Sequence, residues 1–501
     1  MKVKENRRRC LIIIEISNKK ECSGCYACVS ICPKRCISMQ IDNEGFWYPL
    51  VDKNECIECG MCEKHCPVKK SKRNYRDIEG YAAINKNSTV QKRSSSGGVF
   101  TLLAEYVLEN GGVVYGAAFD EEYMVRHIGV ERIHELGKLQ GSKYVQSDLN
   151  DCFAKIKIYL EQGSLVCFIG TTCQVYGLMT YLKKKYRNLL TIDLVCHGTP
   201  SPKLWEKYLS EQKSKYHSEI ENVVFRNKTY GYHSGTMRIQ FKNGIVYYGS
   251  ARVDPMLKSF FTEISSRPSC YNCRFKTLER CSDFTIYDCW HVSDLVDNLT
   301  DDDKGFTNLI VQSSKGAKLL SEIADRYEIY PTDLMTAIKL DGVMIQHSAK
   351  SHPKRGEYYM DLDKESLKMH VQRFIPIRKQ DYLIEILMEC KKEGHPDMVY
   401  KFSSTSKISF PGSGIAAIAA SDANLADIRK QMRIQTIGHD KLNQLRHARY
   451  FGNIHGMVQH MKKHADILRP KFDIVLKTLD KELGGLGIGS WTEPKGGYFI
   501  S

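Results

Sequence analysis

The sequence predicts a multidomain chain in which a small α+β module is followed by α/β domains. Three observations predict this fold class: a cysteine-rich segment near the start, a long alternation of strand-like and helix-like patterns, and a change of texture near residue 379. At 501 residues the chain is too long for one hydrophobic core. We divide it into a leader at 1–17, a module at 18–70, a domain at 80–376 and a segment at 379–501.

Two copies of one cysteine motif fill the module. Both read C-x2-C-x2-C-x3-C-P, and the second follows the first by 34 residues. This spacing is typical of bacterial ferredoxins, in which three thiolates bind one 4Fe-4S cluster and the fourth binds the other cluster. We therefore expect one cluster on Cys22, Cys25, Cys28 and Cys66, and a second on Cys56, Cys59, Cys62 and Cys32. With few residues left for a core, metal must hold this ferredoxin-like segment together.

Other interpretations of the cysteines are weaker. Zinc sites pair two C-x2-C elements rather than running four cysteines into a proline, and the chain shows no export signal that would favour disulfides. We read Cys10 and Cys36, which fall outside the pattern, as ordinary thiols. A reducing, cytoplasmic location is expected. No apolar stretch approaches the roughly 20 residues of a membrane span, so none is predicted.

The net charge of +15 favours anionic partners. No helix-turn-helix, zinc-finger or RNA-binding signature supports nucleic acid. Acidic electron carriers and phosphate-bearing cofactors would use the same positive field. A solvated, lysine-rich surface is the plain alternative.

Beyond a basic linker at 69–76, residues 80–376 alternate between strand and helix patterns. Such alternation predicts mainly parallel strands with covering helices. We predict strands at 112–118, 164–170 and 189–195, and helices at 100–108, 150–161 and 203–213. Beyond residue 379 we predict long helices over 381–392 and 442–468.

A run of serine and glycine at 94–98 precedes an apolar helical pattern. Backbone N–H groups at a helix start favour a phosphate, because their hydrogen bonds are unmade and the helix dipole attracts an anion. The same composition also suits a simple flexible turn. Further motifs follow in order: GSKY at 141–144, GTTCQ at 170–174, DLVCHG at 193–198, CYNC at 270–273 and SDFTIYD at 282–288.

This ordered series resembles the beta-subunit family of the coenzyme F420 hydrogenases and dehydrogenases, over about residues 18–376. The resemblance implies an iron-sulfur flavoprotein with an α/β flavin-binding domain. It implies that FAD is bound by Ser95, Ser96, Gly97 and Gly98, with Gly141, Ser142, Lys143 and Tyr144 beside it. The family more often has proline where this chain has Thr172, a departure that leaves Cys173 and Gln174 in place.

The remaining cysteines suggest a third 4Fe-4S cluster. We favour a set that includes two strand ends, where sites on α/β sheets gather: Cys173, Cys196, Cys270 and Cys273. A rival set, which suits zinc equally well, is Cys270, Cys273, Cys281 and Cys289. Cys173 and Cys196 also fit ordinary buried thiols. His197 fits a core histidine as well as a proton donor.

Residues 379–501 resemble part of a fold-type I pyridoxal-phosphate aminotransferase. The motif STSK at 404–407 is similar to that family's Schiff-base lysine loop, and PKGGYF at 494–499 is similar to a small-domain strand. Lys407 would then be a vestigial cofactor lysine. The family's large domain is replaced here by the flavin-type domain. We expect a partial α/β aminotransferase small-domain segment, joined by natural fusion or by faulty assembly of the sequence, that does not use pyridoxal phosphate.

Three functions are compatible with these patterns. The first is an oxidoreductase that passes electrons between 4Fe-4S clusters and FAD and on to a small-molecule or deazaflavin-type acceptor. The second is an electron-transfer subunit that has no substrate of its own and serves a redox partner protein or electron carrier. The third is a transaminase, for which the sequence supplies a lysine and little else. No catalytic residue is assigned from the sequence.

Overall fold

The computed structural model describes residues 13–69, 78–410, 412–487, 489 and 491. It divides the chain into two compact units, Met1–Glu385 and Ile386–Ser501. Cys10, most of the predicted leader and linker, and the predicted strand at 494–499 lie outside the described residues.

The cysteine-rich module opens the first unit. Its elements are α1 (Ala27–Ile31), β1 (Ile37–Ile41), β2 (Trp47–Val51) and α2 (Met61–Lys64). The two strands form an antiparallel hairpin in which Ile37 lies opposite Val51. Asp42 builds the turn between them, because its carboxylate accepts hydrogen bonds from the backbone N–H groups of Glu44 and Phe46 at 3.1 and 2.9 Å.

Two further sheets contain the other strands of this unit. Their strands are β3 (Glu79–Asn85), β4 (Val113–Phe119), β5 (Val125–Val130), β6 (Val166–Thr171), β7 (Leu189–Leu194), β8 (Ile220–Asn227), β9 (Thr236–Phe241), β10 (Val246–Ser250), β11 (Phe284–Cys289), β12 (Phe306–Val311) and β13 (Tyr327–Pro331). The larger sheet has eight strands in the order β13-β3-β12-β11-β7-β6-β4-β5. The smaller is an antiparallel sheet in the order β10-β9-β8, which the sequence patterns did not reveal.

The prediction of mainly parallel strands is wrong. The run β11-β7-β6-β4 is parallel, but both flanks of the large sheet are antiparallel, so the sheet is mixed. On the β3 side the paired strands are far apart in the sequence, as β3 and β12 are, whereas β4 and β5 form a hairpin across residues 120–124. The parallel run matters for function because the ends of β6 and β7 lead into the candidate site.

Helices cover both faces of the large sheet. The first unit contains α3 (Ser88–Arg93), α4 (Val99–Glu109), α5 (Cys152–Glu161), α6 (Thr172–Leu182), α7 (Pro202–Tyr216), α8 (Pro255–Phe261), α9 (Val292–Leu295), α10 (Ser314–Glu322), α11 (Leu334–Leu340), α12 (Arg355–Met360), α13 (Leu367–Phe374) and the start of α14 (Lys379–Lys392). Apolar side chains of α4 and α10 form a core on one face of the sheet, and those of α5 and α6 form a core on the other. A third core joins the small sheet to α7, α8 and α13.

The second unit contains β14 (Lys401–Ser404), β15 (Ala416–Ala419), α15 (Asp422–Gln435), α16 (Lys441–Phe451) and α17 (Ile454–Leu483). The single helix predicted over 442–468 is wrong. Gly452 has a positive φ of 64°, and the side chain of Asn453 caps α17 by accepting from Gly456 N at 3.1 Å.

Among the residues that the structure describes, every helix is too short or too polar to serve as a membrane span.

Candidate functional site

The eight motif cysteines lie around two small cavities in the module. Cys22, Cys25, Cys28 and Cys66 line one of them. Cys32, Cys56, Cys59 and Cys62 line the other. The structure thus brings together the two groups that the spacing predicts, with the fourth cysteine of each motif crossing to the other group. Burial raises the pKa of the Cys25 thiol to about 12, and the neighbouring thiols of Cys22 and Cys66 add to the shift. Such a group becomes a thiolate only when a cation compensates its charge.

Left-handed backbone conformations shape both cysteine loops. Tyr26 and Gly60, which follow the second cysteine of their motifs, have φ of 64° and 69° and precede α1 and α2. Backbone N–H groups point to cysteine sulfur atoms: Ile14 N, from the segment before both motifs, lies 3.4 Å from Cys62 Sγ, and Glu58 N lies 3.4 Å from Cys56 Sγ in its own loop. Hydrogen bonds of this kind tune the potential of an iron-sulfur cluster.

Cys36 lies at the site although its spacing placed it outside the motif. Its Sγ is 3.4 Å from Cys32 Sγ, and it lines the same cavity. Within the described part of the chain, no three His, Cys, Asp or Glu side chains are spaced to hold one metal ion. Thiolates around a cubane cluster are spaced more widely than around a single ion, because the cube lies between them.

A cavity of about 690 Å³ lies in the central domain. Its walls include the loops that follow β6 and β7 and the first turn of α4. Of the residues that the family resemblance assigns to FAD, seven line this cavity: Ser95, Ser96, Gly98, Gly141, Ser142, Lys143 and Tyr144. The volume is within the range of ligand pockets, roughly 300–1,000 Å³.

Gly97 has a different position. A Cβ atom there would lie 2.5 Å from the Ala83 carbonyl oxygen and 2.8 Å from Thr307 N, so Gly97 packs against β3 and β12 rather than lining the cavity. Its own N–H donates to Thr307 Oγ1 at 2.9 Å. Glycine is required here for close strand packing.

The two predicted flavin segments are joined by one side chain. Ser95 Oγ accepts hydrogen bonds from Ser142 N at 2.9 Å and from Ser142 Oγ at 3.0 Å. Gly98 caps α4 with a φ of 86°, and no side chain caps the helix. The first-turn N–H groups of α4 are therefore left for a ligand.

Lys143 is a half-buried cation in the cavity wall. Its Nζ donates to the carbonyl oxygens of Gln140 and Gly141 at 3.0 and 3.1 Å. Desolvation lowers the pKa of Lys143 to about 7. A bound phosphate would restore the charged form.

Tyr144 is packed among aromatic side chains. Its ring stacks on Phe260 with centroids 4.7 Å apart, and its hydroxyl accepts from Arg226 Nη1 at 3.3 Å. Arg226 is itself buried and paired with Asp288 at 3.0 Å. Sequence patterns did not identify Arg226, because it lies on β8, far along the chain from the other cavity residues.

The four favoured cysteines of the third set all line the same cavity: Cys173, Cys196, Cys270 and Cys273. Burial raises the pKa of Cys173 well above its usual value, and Cys273, Cys196 and Cys25 contribute to the shift. Neither Cys281 nor Cys289 lines the cavity. Cys289 lies instead in a separate core with Ala82 and Phe306, so the structure does not bring the rival set together.

Buried polar contacts join β7, which leads to Cys196, to β11. Asp193 accepts from Ser282 Oγ, Thr285 Oγ1 and Arg280 Nη1 at 3.0, 2.5 and 2.8 Å. The DLVCHG and SDFTIYD motifs therefore meet across β7 and β11. Their polar contacts fix the end of β7, two residues before Cys196.

His197 lies beside Cys196, and its Nε2 contacts the Glu263 carboxylate. Its ring also contacts Phe260, with centroids 5.1 Å apart. This pairing fits a residue that shapes the cavity wall.

Lys407 is exposed and follows β14 in the second unit. Its loop is closed by Thr405, whose N–H donates to the Ile415 carbonyl oxygen at 2.8 Å. Several large apolar side chains of this unit are exposed, including Phe402, Ile434, Leu442 and Ile454.

Comparisons with known families agree with this organisation. The coenzyme F420 hydrogenase/dehydrogenase beta-subunit family has two domain models: its N-terminal model matches residues 80–153, and its C-terminal model matches residues 163–335. The central region carries both of these beta-subunit domains. Residues 21–70 match a 4Fe-4S dicluster domain, and residues 373–501 match the aspartate aminotransferase model. The family resemblances predicted from the sequence are thereby confirmed.

Individual relatives cover separate parts of the chain. An aspartate aminotransferase of Corynebacterium glutamicum is 43% identical over 119 residues, which is 24% of this chain and 28% of the relative. Ferredoxin-1 of Caulobacter vibrioides is 42% identical over 41 residues, 8% of this chain and 32% of the relative. A chain of the F420-reducing [NiFe] hydrogenase complex from Methanosarcina barkeri is 16% identical, with a TM-score of 0.36; the match covers 61% of this chain and 95% of that one. This chain thus spans about a quarter to a third of the length of the two curated relatives.

The chain accordingly combines a 4Fe-4S dicluster domain with beta-subunit domains of an electron-transfer family, and its C-terminal segment is aminotransferase-like.

Proposed function

We propose that the chain is an iron-sulfur flavoprotein oxidoreductase that exchanges electrons between its 4Fe-4S clusters and an FAD, and passes them to a small-molecule or deazaflavin-type acceptor. One observation carries the proposal: the cavity walled by Ser95 and Lys143 contains Cys173, which in turn lies near Cys25 of the ferredoxin module. The predicted cofactor sites therefore form a continuous series.

The donor sets fit the proposed groups. Four thiols around each module cavity suit a 4Fe-4S cluster. In the central cavity, the uncapped start of α4 and the half-buried Lys143 suit a diphosphate. No atom of the described residues lies within 4 Å of a Cβ placed on Gly141, which leaves room for close approach of a ligand. The third cysteine set suits a further cluster at the edge of this cavity.

When bound, a flavin converts single electrons into two-electron or hydride chemistry. The protein's part is to bind, orient and shield. Lys143, whose pKa is lowered to about 7, can hold or release a proton near physiological pH. The stacked rings of Tyr144 and Phe260 exclude water from one wall of the cavity. The pair of Arg226 and Asp288 fixes the Tyr144 hydroxyl.

The second module cavity suits exchange with a redox partner protein. Cys59 is exposed, and Ile57 beside it is 57% exposed. Exposed basic residues Lys34 and Lys53 flank this end of the module. Exposed Asp52, Glu55 and Glu58 lie among them, so this surface carries charges of both signs. The exposure of Cys59 also favours the second candidate function, an electron-transfer subunit with no substrate of its own.

Anaerobic purification followed by iron, sulfide and flavin analysis tests the proposal. We expect clusters together with FAD, and reduction of a deazaflavin or small-molecule acceptor by the isolated chain. Clusters and FAD without turnover of any acceptor would favour the electron-transfer subunit. Clusters without any flavin, even after FAD is added, would contradict both flavin-based forms of the proposal.

We also propose that the C-terminal segment is not a working transaminase. Its aminotransferase match begins at residue 373, and the region before it matches the beta-subunit domains. Lys407 is exposed rather than enclosed at a cofactor site.

A further inference from the structure

Arg267 is a fully buried cation at the contact between the ferredoxin module and the central domain. Its side chain is 0% exposed. Nε donates to the Cys22 carbonyl oxygen at 2.8 Å and Nη2 to the Trp47 carbonyl oxygen at 3.0 Å, both in the module. Nη1 donates to Gln146 Oε1 of the central domain at 3.2 Å. The guanidinium also stacks 4.0 Å from the Tyr48 ring centroid.

All three acceptors of Arg267 are neutral. Within the described residues, no carboxylate lies within ion-pair distance of its guanidinium. The other arginines in comparable positions differ: Arg280 pairs with Asp193, Arg226 with Asp288 and Arg355 with Glu44. A buried charge without a counter-charge is costly, because its lost hydration is not repaid. The structure therefore calls for an anion close to Arg267.

The neighbouring cysteine cavity provides the place for that anion. Arg267 contacts the carbonyl of Cys22, and its Nη1 would lie 3.2 Å from a Cβ placed on Gly24 in the same loop. A 4Fe-4S cluster with four thiolates has a net negative charge and gains another on reduction. The cluster therefore supplies the negative counter-charge that Arg267 lacks.

We propose that Arg267 is the counter-charge of the cluster bound by Cys22, Cys25, Cys28 and Cys66. It raises the reduction potential of this cluster above that of the more exposed cluster, which Cys32, Cys56, Cys59 and Cys62 bind. This inference rests on the cluster assignment in the proposed function. A buried cation stabilises the reduced, more negative cluster more than the oxidised one. Electrons that enter at the exposed cluster are then drawn inward to the cluster next to the central cavity.

Redox titration of the anaerobic holoprotein, followed by electron paramagnetic resonance, tests this role. Arg267→Gln removes the charge, and Gln146→Glu neutralises it in place by putting a carboxylate at the Nη1 contact. Both variants are expected to move one cluster's midpoint potential to a more negative value and to leave the others unchanged. Arg267→Lys keeps the charge and should stay closer to the native value.

Arg355→Gln is the matched control. Arg355, like Arg267, lies near the Phe46 ring, but it is paired with Glu44 at 2.9 and 2.7 Å. Its replacement should leave all midpoint potentials unchanged. Repeating the titrations in a variant with Cys270 and Cys273 both replaced by serine shows whether the shift belongs to the module, since Arg267 also interacts with Cys270.

The outcomes are distinct. A full iron content with native potentials in Arg267→Gln would reduce Arg267 to a structural tether and overturn the inference. Should Arg267→Gln lose its iron, native potentials in Gln146→Glu would overturn the inference equally. A shift that disappears when Cys270 and Cys273 are replaced would also overturn it. A native protein without clusters would instead contradict the proposed function.

Discussion

Gly177 of α6 lies directly against Cys25 of the ferredoxin module. A Cβ atom on Gly177 would lie 2.9 Å from the Cys25 carbonyl oxygen and 3.2 Å from its Cβ. The helix that carries Cys173 at its start therefore approaches the module at a position without a side chain. This close approach brings the third cysteine set, which includes Cys173, near the module set that includes Cys25.

Replacing Gly177 with alanine should loosen this contact. Overpacking against backbone costs about 1–3 kcal/mol, offset by up to about 1 kcal/mol from better helix propensity. We expect a lower unfolding temperature and slower exchange of electrons between flavin and module clusters. Thermal unfolding and stopped-flow reduction measure both effects.

Gly356→Ala is the control for Gly177→Ala. Gly356 is also helical, but in the part of the chain that the structure describes no atom lies within 4 Å of a Cβ placed there. This variant should gain about 0.5–1 kcal/mol in the free energy of unfolding and keep native electron transfer. Native stability and native rates in Gly177→Ala would show that the close contact is unimportant.

Replacing both Cys270 and Cys273 with serine should lower the iron content from about twelve to about eight atoms per chain. The reason is that both thiols line the central cavity together with Cys173 and Cys196. Cys281→Ser, which changes a cysteine away from the cavity, should keep the full content. Iron and sulfide analysis of anaerobic preparations provides the measurement. An unchanged iron content in the double variant would make these thiols structural.

Lys143 should give flavin binding a pH dependence. Its pKa in the free protein is about 7, and a bound diphosphate should raise it. Binding then takes up a proton above pH 7, so affinity should fall as the pH rises from about 7 to about 9, by at most tenfold per pH unit. Fluorescence titration of FAD across this range gives the profile.

Two variants separate the charge of Lys143 from its position. Lys143→Arg stays charged throughout the range, so its affinity should change little with pH. Lys143→Gln should bind more weakly, with a similarly flat profile. If Lys143→Gln retained the native slope, the titrating group would have to be another residue.

The features that could be predicted from the sequence are those that depend on residues close together in the chain. The crossed grouping of the module cysteines follows from two local motifs, and the predicted helices at 100–108 and 150–161 match α4 and α5 to within two residues. The antiparallel flank around β3 was missed because its strands come from distant segments, and the hairpin of β4 and β5 was missed although only residues 120–124 separate its strands. Gly97 shows a related limit: its motif suggested a phosphate contact, yet its neighbours are Ala83 and Thr307.

Long-range contacts also explain which site residues were missed. Arg267 donates to the carbonyl oxygen of a residue 245 positions away, and Arg226 contacts a tyrosine 82 positions away. No local pattern distinguishes these arginines from the many basic residues of a chain with a charge of +15. Only the absence of a carboxylate partner among the described residues, seen in three dimensions, sets Arg267 apart.

Truncation after Lys392 should leave iron, flavin and reductase activity unchanged, because the proposed electron path lies within the first unit. This end point preserves Glu385, whose carboxylate accepts from Ser250 N at 3.1 Å and also from its hydroxyl. Deletion of 379–501 would remove that contact and should lower the unfolding temperature. The shorter protein should associate less, since exposed side chains such as Ile434 and Leu442 are removed with the second unit. Light scattering and cofactor analysis of both truncations provide the measurements.

On the full chain, added pyridoxal phosphate should give no stable aldimine absorbance. A band that depends on Lys407, together with amino-group transfer, would make the segment a second enzyme and contradict its assignment as an inactive fragment.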